Sequence, residues 1–264
     1  MWQGIWVFPL LGVAVGMLAG LLGIGGGLVL VAALAWLLPL YGIPPEAAMH
    51  AALASALGSI VFTAASSAYS HHRRGSVLWP TMAWMLPGLL AGGWLGSLLA
   101  VHMRGEWLRW LVAGYCYFAA LQMLLNRPRP QTDDEAIAPT GPLYALAGGG
   151  IGAVSAVVGI GGGSLTLPLL VARGVRPVRA VGTSSACGVA IGIASALGYA
   201  FNAPPGALPA HAAGYVYLPA AVGVALASVL AAPLGVRLAH RLSGPALKRV
   251  FVVFLLLVGT SLLW

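Results

Sequence analysis

The stretch "GLLGIGGGLVLV", Gly20 to Val31, places five glycines in a run that is otherwise as apolar as a membrane helix. The chain repeats it as "VVGIGGGSLTLP", Val157 to Pro168. A glycine inside a helix costs about 1 kcal/mol relative to alanine. Three consecutive glycines cover all faces of a helix, which packing against one neighbour does not require. We therefore interpret Gly25 to Gly27 and Gly161 to Gly163 as breaks in two membrane helices.

The composition identifies an integral membrane protein. Of 264 residues, 60% are hydrophobic and 7% are charged, and the mean hydropathy is +0.94. A soluble domain carries roughly 25% charged residues, so this chain cannot cover a surface that faces water. The apolar runs are about 20 residues long, as spanning helices require, and they do not alternate as the strands of a membrane barrel do. The net charge of +8 is interpreted as loop charge that sets topology, and no nucleic-acid partner is expected.

The sequence predicts an all-α polytopic membrane protein with eight spanning helices. The first and fifth segments are long and contain the glycine breaks. A continuous helix over the first would be about 50 Å long, against a hydrocarbon core of about 30 Å. The predicted segments are 5–38, 47–69, 77–101, 107–125, 142–172, 178–201, 213–236 and 246–263.

The chain contains an internal repeat. An offset of 136 residues aligns the first glycine run with the second, and also aligns Gly12 and Gly16 with Gly148 and Gly152. The spacing of these flanking glycines, with Gly20, predicts close packing between helices. We predict two four-helix repeats, each with an interrupted first helix. Repeat 1 covers 1–126, a polar extracytoplasmic linker covers 127–141, and repeat 2 covers 142–264.

The distribution of Lys and Arg predicts the orientation. The loops after odd-numbered segments carry nine of them and the opposite side carries four. Basic loops stay in the cytoplasm, so both termini are expected outside the cell membrane. An even number of spans per half makes the repeats parallel. An inverted pair would require each interrupted segment to turn back on itself.

The paired breaks indicate a binding site for a small anion. The start of a helix presents free N–H groups and a positive dipole end, and paired broken helices in two repeats indicate a transporter substrate site. For any single hydroxyl, a bond to a carbonyl of its own helix is the competing interpretation. The candidate substrate-binding residues are Gly25, Gly26, Gly27, Ser55, Gly161, Gly162, Gly163, Ser164, Thr166, Thr183, Ser184 and Ser185.

Ionisable groups are scarce within the predicted spans. Glu46 and His50 flank the start of the second span, and His50 is a candidate for carrying a coupling proton. Placement at the membrane interface without a function is the alternative. No catalytic residues, metal ligands or cofactors are predicted, because the chain contains no hydrolase, metalloprotease or nucleotide-binding motif.

The motifs resemble the sulfite exporter TauE/SafE family. The doubled "GLLGIGGG" and "AVVGIGGGSLTLP", followed by "RAVGTSSA", carry the resemblance over essentially the whole chain. It implies an inner-membrane permease, similar to carriers of sulfite, sulfoacetate and related sulfur anions. It also places the two glycine triplets and Thr183-Ser184 on recurrent motif positions. Two departures imply an asymmetric site: a proline follows the break only as Pro168, with Ala32 at its counterpart, and "GTS" occurs only in repeat 2.

The sequence thus predicts a secondary transporter of a sulfur-containing anion, in which broken helices from both halves face each other and the halves rock. Export is the expected direction, and the expected partners are a small anionic substrate and the lipid bilayer. Two alternatives stay open: an uptake permease for another small anion or metabolite, and a scaffold or assembly factor that transports nothing. The oligomeric state is also open, a homodimer included.

Overall fold

The computed structural model describes residues 6–22, 26–125, 138–209, 211–239 and 244–263, and these residues are mostly helical. Ten α-helices occur in this described part of the chain. They are α1 (Val7–Leu22), α2 (Gly27–Leu37), α3 (Pro45–Arg73), α4 (Trp79–His102), α5 (Gly105–Leu125), α6 (Pro142–Val158), α7 (Gly163–Ala172), α8 (Pro177–Phe201), α9 (Leu218–Ala239) and α10 (Gly244–Leu263). A 3-10 turn, Leu38–Tyr41, extends α2, and two short antiparallel strands, β1 (Ala212–Ala213) and β2 (Val216–Tyr217), precede α9.

The helices fit a polytopic membrane protein. By length and composition, α3, α4, α5 and α8 can each cross a membrane. The other helices contain shorter apolar stretches within the described residues. Large apolar side chains such as Leu146, Leu230 and Leu257 are exposed, as expected where a surface faces lipid instead of water.

Both interrupted segments turn back on themselves. The ring of Phe8, at the start of α1, lies 4.9 Å from the ring of Tyr41, which follows α2. In the second half, the guanidinium of Arg173 at the end of α7 lies 5.8 Å from the ring centre of Tyr144 at the start of α6. Each pair of half-helices therefore begins and ends at the same end of the molecule, which differs from the crossing segments expected from the sequence.

The core helices α3 and α8 run antiparallel. Ser67 and Ser185 share a hydrogen bond of 3.0 Å, so the end of α3 lies beside the start of α8. At the other end, the Ser55 hydroxyl near the start of α3 accepts a 3.0 Å bond from the N–H of Tyr217, which follows α8. The expected parallel arrangement of the two halves is therefore wrong. The even count of segments failed as a guide because each interrupted segment turns back on itself.

Glycines let helices of opposite halves pack closely. The most extensive contacts join α4 to α6, α1 to α9, α3 to α8 and α4 to α8. A Cβ on Gly12 or Gly16 would lie within 2.7 Å of carbonyl oxygens of α9, and one on Gly148 or Gly152 within 2.6 Å of carbonyl oxygens of α4. The predicted packing role is confirmed for these four glycines, whereas Gly20 lies outside the residues whose packing the structure describes.

The two ends of the bundle differ in charge. We call the end that carries β1 and β2 the hairpin end and the opposite end the basic end. Among described residues the hairpin end has two basic residues, Arg104 and Arg109. The basic end has eight, namely Arg73, Arg74, Arg173, Arg176, Arg179, Arg237, Lys248 and Arg249. The sequence count of nine against four divided them differently because it assumed that the interrupted segments cross.

Candidate functional site

The two helix breaks meet inside the protein. Gly27 is the first residue of α2, and a Cβ on it would lie 2.5 Å from the carbonyl oxygen of Gly159. Gly159 ends α6 with φ of 77° and Gly162 precedes α7 with φ of 73°. Only glycine adopts this left-handed region readily. The glycine runs thus form two reversals that touch each other, while Gly25 lies outside the described residues.

Helices α3 and α8 hold the breaks between them. The Ile60 side chain of α3 would be 2.9 Å from a Cβ on Gly161, and a Cβ on Gly188 of α8 would lie 2.6 Å from the Gly161 carbonyl oxygen. Ile60 is 3% exposed. The predicted break residues Gly27, Gly161 and Gly162 are therefore enclosed by the two core helices.

Two helices start at this point and run to opposite ends. In α7, the N–H groups of Leu165 and Thr166 bond to the Gly162 carbonyl at 3.1 and 2.8 Å. The N–H groups of Gly163 and Ser164 precede these bonds and have no acceptor among the described residues, as is usual for the first N–H groups of a helix. The N–H of Leu30 makes the corresponding bond to Gly26 at 3.1 Å in α2. Both starts direct the positive ends of their dipoles toward the break.

Four of the predicted hydroxyls are engaged in bonds within the protein. Thr183 donates to the Arg179 carbonyl at 2.8 Å and accepts the N–H of Leu78 at 2.9 Å. Ser184 and Ser185 both bond to the Val181 carbonyl, at 3.2 and 3.0 Å. Ser55 accepts the N–H of Tyr217, as described above. The protons of Thr183, Ser184 and Ser185 are donated within α8, and Ser55 accepts at the hairpin end, so these bonds support helix ends and connections.

Ser164 and Thr166 differ from those four. The Ser164 oxygen accepts a 2.7 Å bond from the Tyr115 hydroxyl, and no acceptor for its own proton occurs among the described residues. Thr166 is fully buried, and its Oγ1 has no partner in the described part of the chain. That oxygen lies 3.7 Å from the Cβ position of Gly162. Both hydroxyls belong to the first turn of α7, beside the free N–H groups.

Two side chains near the break were not singled out from the sequence. Ser155 of α6 is fully buried with an unpartnered Oγ in the described structure, and its carbonyl accepts the N–H groups of Gly159 and Ile160. Tyr115 of α5 reaches Ser164. Ser155 stands four residues before the break in "SAVVG", a spacing that puts its carbonyl in place to end the helix. The sequence contains no local signal for the pairing of Tyr115 with Ser164.

A second repeated motif also escaped the sequence comparison. "GSVLWP", Gly75 to Pro80, precedes α4 and "GYVYLP", Gly214 to Pro219, precedes α9. The N–H just before α4 donates to a hydroxyl of α8, and the N–H just before α9 donates to a hydroxyl of α3. The valines of both motifs are 7% exposed. The two connections are therefore partly buried at opposite ends of the protein, and each is hydrogen-bonded to a core helix in the same way.

The candidate proton carriers lie away from the break. His50 is 4% exposed, and its Nε2 donates to the carbonyls of Ala100 and Met103 at 3.1 and 3.0 Å, at the end of α4. Its ring stacks on Tyr215 with the centres 4.9 Å apart. Glu46 is exposed. Ten residues separate His50 from Ile60, which is about 15 Å along a helix, so proton coupling by this pair stays a prediction.

Charged side chains are distant from the break in the described structure. The Asp, Glu, Lys and Arg residues within it occupy connections or the first or last two turns of helices. An anion at the break would therefore be held by N–H groups, hydroxyl groups and helix dipoles. This arrangement suits a solute that must also leave, because no buried ion pair has to be broken.

Comparisons with known proteins give the family. The family model for the sulfite exporter TauE/SafE family matches residues 8–262. A probable membrane transporter protein of Haemophilus influenzae is 32% identical over 96% of both chains. YdhB of Bacillus subtilis, also named a probable membrane transporter protein, is 26% identical over 70% of this chain and 74% of its own length. No solved structure is significantly similar. The chain belongs to the sulfite exporter TauE/SafE family, and it is a membrane transporter.

Proposed function

We propose that the protein is a secondary transporter that exports a small sulfur-containing anion, such as sulfite or a small organosulfonate, across the bacterial inner membrane. The observation that carries this proposal is the Thr166 hydroxyl. A buried hydroxyl without a partner costs about 1–3 kcal/mol, and Thr166 carries this cost on the first turn of a helix that begins at the break. A bound oxyanion would accept its proton and those of the adjacent N–H groups.

We propose six spanning helices and two re-entrant pairs, in place of eight spans. On this proposal α3, α4, α5, α8, α9 and α10 cross the membrane, while α1 with α2 and α6 with α7 enter and leave on one side. The Phe8–Tyr41 and Arg173–Tyr144 contacts support the re-entrant pairs. The antiparallel α3 and α8 support two repeats of inverted orientation, an arrangement found in other transporter folds.

The charge asymmetry supports an orientation with the basic end in the cytoplasm. Eight described basic residues at that end against two at the hairpin end make a larger bias than the sequence count. Both termini then face outward, as expected from the sequence. The linker 127–141 joins α5 and α6 at the basic end, so on this proposal it is cytoplasmic and not extracytoplasmic.

The asymmetry of the half-helices supports access from the basic end in this conformation. Most of α2 is buried, including Leu28, Leu30 and Leu34. In α7, which runs toward the basic end, the buried residues are Thr166 and Leu170. The site is therefore closed toward the hairpin end and less covered toward the basic end. A cytoplasmic anion attracted by the arginines there would reach α7 first.

Moving bodies that combine both halves fit the packing better than two rocking halves. Helix α4 packs on α6 and α1 packs on α9, in both cases through glycines against backbone. Such close contacts leave little room for sliding. We propose that α4 with α6 and α1 with α9 each move as a unit, so that the two halves do not separate as rigid bodies.

Flux measurements test the function. Everted membrane vesicles and proteoliposomes would be assayed with sulfite and sulfoacetate, with and without a proton gradient. Export predicts saturable accumulation of one of these anions in everted vesicles. If the proton gradient stimulates flux and this stimulation is lost in His50→Gln, coupling through His50 is supported. Absence of flux for every sulfur anion contradicts the proposed function.

A pair of glycine variants links the flux to the break. Gly162→Ala places a Cβ at φ of 73° against the Ile191 side chain, so we expect at least a tenfold loss of flux. Gly150→Ala is the matched control, because its Cβ meets nothing within 4 Å on α6, and it should keep flux within twofold. Equal flux in both variants, measured at equal insertion, would contradict a site at the break. If the protein were instead a scaffold that transports nothing, both variants would still bind its partner proteins.

A further inference from the structure

Helix α5 carries two tyrosines whose hydroxyls have different partners. Tyr115 is half-buried and donates to the Ser164 hydroxyl of α7 at 2.7 Å. Tyr117 bonds to the Thr260 hydroxyl of α10 at 2.9 Å in an exposed position. The first bond ends at the start of α7, and the second lies on the side of α5 that contacts α10.

The Tyr115 bond fixes what the Ser164 hydroxyl can do. A serine hydroxyl has one proton and two acceptor positions. Since Tyr115 occupies one acceptor position, the Ser164 proton points away from the tyrosine. In a helix interior the usual acceptor is the carbonyl three or four residues earlier, as for Ser184 and Ser185. For Ser164 those positions are Ile160 and Gly161, which lie in the break before α7 begins.

The surroundings of Ser164 indicate where its proton points. The free N–H groups of Gly163 and Ser164 precede the first bonds of α7, and the Ser184 hydroxyl lies 3.8 Å from the Cβ position of Gly163. Thr166, two residues along, adds a fully buried hydroxyl that lacks a partner among the described residues. The first turn of α7 thus carries backbone and side-chain donors without acceptors among the described residues, and Tyr115 determines the direction of one of them.

We infer that Tyr115 is a positioning residue that holds the Ser164 hydroxyl as a donor to an oxyanion at the start of α7. This inference rests on the proposed function, because it requires the anion site at the break. Without the tyrosine, the Ser164 hydroxyl rotates freely, and part of its hydrogen bond to the anion is lost on binding. Tyr115 therefore lowers KM and leaves the rate of the conformational change unaltered.

The test compares Tyr115→Phe with Tyr117→Phe in proteoliposomes, with sulfite as the transported anion. Tyr115→Phe should raise KM about fivefold to tenfold, which is about 1–1.4 kcal/mol at 1.4 kcal/mol per tenfold change, and keep the maximal rate within twofold. Tyr117→Phe removes the same hydroxyl from the same helix and should leave both constants unchanged. A lower maximal rate without a change in KM would overturn the inference.

A double-mutant cycle separates positioning from a structural role. Ser164→Ala should raise KM by at least as much as Tyr115→Phe, and adding Tyr115→Phe to it should have no further effect. Ser164→Thr keeps the hydroxyl and should stay near the unsubstituted KM, which tests the site even if Tyr115→Phe inserts poorly. If Tyr115→Phe raises KM equally with and without the Ser164 hydroxyl, the inference about Tyr115 is overturned but the proposed function is not. Absence of saturable sulfur-anion flux in the unsubstituted protein overturns the proposed function as well.

Discussion

Thr166 and Thr183 are both buried threonines of the second half, but their hydroxyls have opposite surroundings. Thr183 donates to Arg179 and accepts from Leu78. Thr166 has no partner in the described part of the chain. The sequence identifies both as candidate ligands because it shows a hydroxyl and not what surrounds it. The engaged threonine stabilises the fold, and on our proposal the unpartnered one binds the anion.

We expect valine substitutions at these two threonines to change stability in opposite directions. Thr166→Val removes a buried group that lacks a partner, so in substrate-free protein it should be neutral or stabilising. Thr183→Val leaves the Leu78 N–H without its acceptor and should destabilise by about 1–3 kcal/mol. Thermal unfolding in detergent measures both. Equal destabilisation would show that Thr166 makes a structural bond.

The same pair separates stability from transport. We expect Thr166→Val to lower anion affinity although the protein stays stable, because a donor is lost at the start of α7. Thr183→Val should affect anion binding only as far as it affects the amount of folded protein.

At the scale of elements, the glycine runs predicted the breaks and hydropathy predicted the helices. The expected segments 47–69 and 107–125 correspond to α3 and α5, with ends that differ by a few residues. The segment 5–38 contains α1 and α2. Hydropathy could not show that this segment turns back, because a crossing helix and a re-entrant pair present equally apolar side chains to their surroundings. The reversal depends on the left-handed glycines and on contacts such as Phe8–Tyr41 that are distant in sequence.

The connections before α4 and α9 show what a closer comparison of the halves could have found. The pattern of glycine, valine and proline in "GSVLWP" and "GYVYLP" marks equivalent connections. It would have strengthened the repeat and drawn attention to Leu78 and Tyr217. It would not have identified their acceptors, because Thr183 and Ser55 occupy different distances from the starts of their helices.

The anchor of the β1–β2 hairpin can be tested with two serines of α3. Ser55→Ala removes the acceptor of the Tyr217 N–H, and we expect a loss of about 1–3 kcal/mol in unfolding free energy. Ser59 is equally buried but bonds to the Ala56 carbonyl of its own helix at 2.8 Å. Ser59→Ala is therefore the control and should change stability by less than about 0.5 kcal/mol. Chemical denaturation measures both, and similar losses would contradict an anchoring role.

At the scale of the whole molecule, the arrangement of the halves decides which loops share a side of the membrane. Arg74 and Val178 both lie at the basic end, whereas Pro205 belongs to the connection at the hairpin end. The parallel arrangement expected from the sequence would separate Arg74 from Val178. The basic-residue count grouped the loops differently because it was made on eight crossings.

Cysteine labelling distinguishes these arrangements. The native Cys116 and Cys187 are buried, so single cysteines can be introduced at exposed positions with little background. We expect Pro205→Cys to react with a membrane-impermeant maleimide in spheroplasts. Arg74→Cys and Val178→Cys should react only after the membrane is disrupted. Opposite accessibility of Arg74→Cys and Val178→Cys would contradict the inverted arrangement.

The packing of glycine stripes between α4 and α6 and between α1 and α9 has a consequence for how the protein is assembled. Each half places its closest helix contacts on the other half, so we expect that neither half folds alone. A half made alone would present backbone carbonyls and glycines to lipid where a partner helix belongs. A chain divided between α5 and α6 would yield two fragments that insert in opposite orientations and become stable only on meeting each other.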